Sequence, residues 1–186
     1  MEAHSHYTKT AITLHWIIGI GLIFNFILGL YVSDLPFSPE RIKLIAYHKW
    51  SGITILGFVV IRIVWRLTHF PPSLPISIPQ WQQKLAGLTH VLLYVFMIAI
   101  PLSGWLFSSA AGVRVVYFGA IELPNLIGPN KALAHDLKEL HEGLNFTCFA
   151  IVLIHGLAAL KHHFIDKDDT LTRMLPFLKS PSKEVK

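Results

Sequence analysis

The 186 residues amount to about one domain; 53% are hydrophobic and only 15% charged, with a formal net charge of +5 and a mean hydropathy of +0.52. Soluble domains run nearer a quarter charged, and a small soluble core cannot hide this much apolar surface. The composition therefore argues against an ordinary soluble domain, makes membrane lipid the first expected partner and gives no reason to expect nucleic acid.

A membrane helix needs about 20 predominantly apolar residues. The first such stretch, residues 11–32, follows Lys9. It is longer than the apolar part of a signal peptide, and no A-x-A-like cleavage site follows it, so it reads as a retained helix. The second covers 45–67. The segment 69–79, HFPPSLPISIP, holds four prolines and predicts an extended connector. The third stretch, 85–107, contains Pro101, whose freed carbonyl neighbouring helices can satisfy. Residues 108–136 predict a loop punctuated by Gly112, Gly119, Pro124, Gly128 and Pro129, with enough apolar character to lie along the membrane surface. The fourth stretch, 140–164, precedes a tail at 165–186. The expectation is all-α: one integral membrane domain forming a four-helix bundle.

Lys and Arg placement sets orientation. With both termini cytoplasmic, that side carries ten basic residues, the C-terminal cluster foremost, against six outside. On the outer side those six face six acids, Asp34, Glu40, Glu122, Asp136, Glu139 and Glu142, so that face is neutral by count.

The histidines carry the chemistry. Of eleven, His15, His48, His90, His141 and His155 fall within or at the ends of the spans. An ionisable group in lipid is expensive and marks a functional position by default, although a single one is often just a hydrogen-bonded packing residue. His141 and His155 are fourteen residues apart, which returns them to within about 40° of one helix face and separates them by roughly 21 Å. That is too far for one metal and suits two haems, one near each surface. Antiparallel helices then sort the partners by depth: His15 with His155 on the cytoplasmic side, His48 with His141 on the outer side. Two imidazoles per iron leave no open position and favour electron transfer. The chain has a single cysteine, Cys148, and no C-x-x-C-H motif, so covalent haem attachment is excluded and the haems are b-type.

Small residues four positions after three of these histidines, Gly19, Gly52 and Ala159, leave room for a flat macrocycle. Asn145, four after His141, is a candidate hydrogen-bond donor to the site. Arg62 shares the face of His48 at the inner depth, with Arg66 one turn on; both are candidate clamps for haem propionates. His162, two turns beyond His155, is a candidate to hydrogen-bond and protonate a quinone, with His90 at similar depth. No residue is assigned as catalytic.

HW at His15–Trp16, HKWSG at His48–Gly52 with R-x-x-x-R at Arg62–Arg66, HVLLYVFMIAIP at His90–Pro101, then His141, His155, LKHHF and DDTLTRMLP form an ordered set. Over nearly the whole chain it resembles the bacterial cytochrome b561 family, and within it the small superoxide oxidase type. The resemblance implies a bacterial inner-membrane, multi-pass protein with two haem b groups on His15, His48, His141 and His155. It implies a superoxide:ubiquinone oxidoreductase that takes electrons from superoxide outside and reduces ubiquinone near the cytoplasm, with His162 at the quinone-site position. The alternative reading is a cytochrome b relay subunit serving a partner dehydrogenase or hydrogenase; the 108–136 loop is equally a docking surface for it or a lid over the outer haem.

Overall fold

The computed structural model describes residues 7–72 and 78–179. Residues 73–77 of the proline-rich connector, and Lys183 and Lys186 of the basic tail, lie outside the described residues.

Four helices dominate: α1 (Lys9–Asp34), α2 (Pro39–Thr68), α3 (Gln80–Ala110) and α4 (Lys131–Phe164). Each is long and apolar enough to cross a membrane. Each also starts before the apolar stretch read from the sequence; for α1, α2 and α4 a capping side chain sets that start. Ser38 accepts from Arg41 N with Pro39 at the first helical position, so α2 opens nine residues before His48. Asn130 accepts from Leu133 N and opens α4 ten residues before His141. Thr8 does the same for α1 through Ala11 N. His48 therefore lies two to three turns inside its helix and does not open it.

α1 packs along α2 and α3 along α4, α2 joins the two pairs, and α1 meets α4 only sparingly. The central apolar layer is Ile18, Ile55, Val59 and Met97, one or more from each of α1, α2 and α3. Outside it the surface is apolar too: Ile20, Phe24, Val91, Ile154 and Leu157 are each at least 60% exposed. A water-soluble protein rarely presents apolar patches of such extent. Here lipid covers them.

The 108–136 segment has more structure than an irregular loop. Its first residues finish α3, and residues 115–123 form a small antiparallel hairpin, β1 (Val115–Tyr117) and β2 (Ile121–Leu123), with Val116 opposite Glu122. Asn130 N donates to Ala110 O at 2.8 Å, so the end of α3 and the start of α4 are tied together. The hairpin is fastened to the bundle by tryptophan and tyrosine side chains. Trp50 Nε1 donates to Val116 O at 2.6 Å, Tyr117 OH and Thr54 Oγ1 share a bond of 2.8 Å, and Trp105 Nε1 donates to Pro124 O at 3.1 Å. It forms a cap on the His48 end of the bundle.

Candidate functional site

The five membrane histidines form two groups at opposite ends of the bundle. At the end capped by the hairpin, the His48 and His141 rings face each other across the bundle, 6.2 Å between centroids and nearly perpendicular at 89°. At the other end His15 and His155 also stand 6.2 Å apart, tilted by 61°. The His90 ring joins this second group, 5.5 Å from His155.

His48 and His141 are seated by the same device, once on α1 and once on α3. His48 Nδ1 donates to the backbone carbonyl of Asn25 at 3.2 Å. His141 Nδ1 donates to the carbonyl of Ile100 at 3.0 Å and lies 3.0 Å from Ser103 Oγ. A helical carbonyl points toward the residue four positions on, and in both cases that residue is glycine: Gly29 after Asn25, Gly104 after Ile100. A Cβ on Gly29 would stand 2.9 Å from His48 Cε1, and one on Gly104 would stand 3.0 Å from His141 Cε1. The missing side chains let each ring lie against the neighbouring helix and reach a backbone carbonyl one turn before the glycine. With Nδ1 donating, Nε2 is left as the coordinating nitrogen. Ser51 reinforces the α1 seat by donating to the Asn25 side chain, and Ser103 donates to the Ile100 carbonyl at 2.8 Å.

The other pair is held differently. Arg62 reaches inward from α2, donating from Nε to Tyr94 OH and from Nη1 to Ala11 O, each at 3.0 Å. Its Nη2 lies 3.4 Å from His15 Nδ1. A guanidinium only donates, so this contact places a positive charge beside the ring without giving Nδ1–H an acceptor. Trp16 packs edge-on against His15 at 5.3 Å. Arg66 sits over the Tyr94 ring at 5.8 Å and not against His15.

His162 turns away from this group toward the segment after α4. Its Nδ1 lies 2.7 Å from Asp168 Oδ2 and 3.2 Å from Asp166 Oδ2. That segment folds back over α1, where Trp16 Nε1 donates to Met174 O at 2.8 Å.

The structure thus brings His48 beside His141 and His15 beside His155, with His90 nearer still to His155. Asn145 donates to the backbone carbonyl of His141 at 2.7 Å and not to its ring. Gly19 has open space where a Cβ would be and Gly52 an ordinary contact with Asn25 at 3.6 Å; the glycines that lie against the rings are Gly29 and Gly104. Neither they nor Ser103 and Asp168 stood out in the sequence, because each acts on a histidine of another helix or across a turn.

The family model for prokaryotic cytochrome b561 matches residues 6–177. The chain belongs to that family. Cytochrome b561 homolog 2 of Escherichia coli (strain K12) is 35% identical over 176 residues, 91% of this chain and 90% of the relative. Cytochrome b561 homolog 1 of the same organism is 29% identical over 173 residues, 92% of this chain and 98% of the relative. A protein named probable superoxide oxidase CybB, from Yersinia pestis, is 32% identical over 183 residues, 93% of this chain and 97% of the relative. As a cytochrome b561, the chain is a multi-pass membrane protein that binds b-type haem and transfers electrons across the membrane.

Proposed function

We propose that this cytochrome b561 holds two haem b groups, one between His15 and His155 and one between His48 and His141, and carries electrons from superoxide outside to ubiquinone near the cytoplasm. The observation that carries the reading is the repeated ring separation of 6.2 Å. An iron with two imidazole nitrogens at roughly 2 Å, and about 1 Å more from each nitrogen to its ring centre, needs ring centres about 6 Å apart. Both pairs have that spacing. Bound there, each haem supplies a one-electron carrier with no open iron position.

The chain's own residues supply the rest. The Asn25 and Ile100 carbonyls fix the tautomer of His48 and His141 and raise their basicity as ligands. Arg62 and Arg66 are cations at the inner level suited to propionates. His162 stands at the end of α4 as the group that meets a quinone. The basic tail and the ten-to-six Lys/Arg asymmetry support a bacterial inner-membrane orientation with both termini cytoplasmic.

The hairpin supports a second reading. Phe118 and Ile121 are 63% and 60% exposed on the outer cap, and Arg114 pairs with Glu122 at 2.9 Å, which leaves the cap close to neutral. Such a surface suits a partner redox protein, making the chain a relay subunit for a dehydrogenase or hydrogenase. Rapid mixing of the purified protein with superoxide in the presence of ubiquinone-1 separates the two. Haem reduction by superoxide, followed by reoxidation by the quinone, is the expected result; haem that superoxide leaves oxidised refutes the first reading.

A further inference from the structure

We infer that Asp168 is the positioning residue of proton delivery at the cytoplasmic end: it holds His162 with Nδ1–H bound to carboxylate and Nε2 presented to the quinone carbonyl. The inference rests on the quinone reading above and goes beyond it by naming how the proton is delivered.

The turn after α4 is built around this pair. Asp168 N donates to His162 O at 3.0 Å, which folds the chain back on the helix end. Asp168 Oδ2 then lies 2.7 Å from His162 Nδ1, and Oδ1 accepts from Thr170 N at 2.8 Å. Both carboxylate oxygens are used, as a buried carboxylate requires; the Asp168 side chain is only 9% exposed. Asp166 approaches the same nitrogen at 3.2 Å but is more exposed and is held by Lys161 Nζ at 2.6 Å. The lysine neutralises Asp166, so Asp168 is the carboxylate that orients the ring. The His162 side chain keeps 17% exposure, enough for water to reach it. A carboxylate on one nitrogen fixes the tautomer, leaving the other nitrogen to exchange protons with a substrate.

Reduction of ubiquinone to ubiquinol takes two electrons and two protons. The electrons arrive singly from two superoxide ions, each oxidised to dioxygen. At His162 the Nε2–H bond breaks and an O–H bond forms on the quinone oxygen. The imidazolium becomes the neutral ring, still donating from Nδ1 to Asp168; the quinone's other oxygen, at the far end of its ring, takes the second proton from hydronium on the aqueous side, and a further hydronium restores Nε2–H.

The test is anaerobic reoxidation of the reduced, haem-replete protein by ubiquinone-1, followed by haem absorbance, for wild type, Asp168→Asn, Asp168→Glu, His162→Gln and the Asn/Gln double variant. The Asn amide still accepts from Thr170 N, but it turns a donor toward Nδ1 and opposes the imidazolium. Asp168→Asn should lower the saturating rate about 100-fold, the lower end of a typical general-acid contribution. The half-saturating quinone concentration should move much less, and Asp168→Glu should restore most of the rate. In the His162→Gln background the Asn substitution should cost nothing more, since both act through one imidazole. Haem per chain reports folding in every variant. A wild-type rate in Asp168→Asn, or a further full loss in the double variant, overturns the inference while leaving the quinone reading intact. Failure of the wild type itself to be reoxidised overturns the quinone reading, and this inference with it.

Discussion

Replacing Gly104 with alanine should weaken one haem and leave the other untouched. The added Cβ would stand 3.0 Å from His141 Cε1, 3.3 Å from Nδ1 and 3.6 Å from Nε2. Ordinary carbon–carbon contact begins at about 3.5 Å, so the ring must retreat by roughly half an ångström. Retreat lengthens the 3.0 Å bond to the Ile100 carbonyl toward the limit of hydrogen bonding. Overpacking of this kind costs about 1–3 kcal/mol. Loss of the partner that orients a metal-bound histidine costs about 10- to 100-fold in affinity, or about 1.4–2.7 kcal/mol at 1.36 kcal/mol per decade, and the two routes agree. Haem titration of the apoprotein, read in the visible spectrum, measures the effect: one of two binding phases should weaken by that factor. Gly57→Ala is the control, since nothing lies within 4 Å of its Cβ position. Unchanged affinity in both phases for Gly104→Ala, or weakening of the phase that His15→Ala abolishes, would refute the reasoning.

Alanine at His48 or His141 should remove one haem and alanine at His15 or His155 the other, in haem counts and low-temperature spectra; any cross-loss breaks the pairing. Arg62→Gln removes a cation 3.4 Å from His15 Nδ1 and should lower one midpoint in a redox titration by about tens of millivolts, the other staying put. Tyr117→Phe deletes the bond to Thr54; about 1 kcal/mol of cap stability should go, seen as faster protease cleavage within residues 111–130 and not as haem loss.

The bundle was largely legible in the sequence because each apolar run reaches the length a bilayer requires. The histidine pairs were legible because the fourteen-residue spacing of His141 and His155 is a local helical property. What the sequence withheld is nonlocal. The value of Gly29 lies in a ring carried by α2, and that of Gly104 in a ring carried by α4, so neither announces itself along its own helix. The hairpin was missed because three-residue strands, Val115–Tyr117 and Ile121–Leu123, are too short for a period-two pattern; tryptophan bonds from α2 and α3 hold it in place. Asp168 lies in the DDTLTRMLP segment with no role of its own along the chain, and only the turn after α4 brings it to His162.

The central claim is two haems in two histidine pairs within one four-helix bundle. A reduced-minus-oxidised visible spectrum of the detergent-purified protein, with a pyridine haemochrome count against protein, tests it most directly. Two low-spin haem b groups per chain are expected. One haem per chain would contradict the two-level arrangement, and a colourless protein would contradict the electron-transfer function altogether.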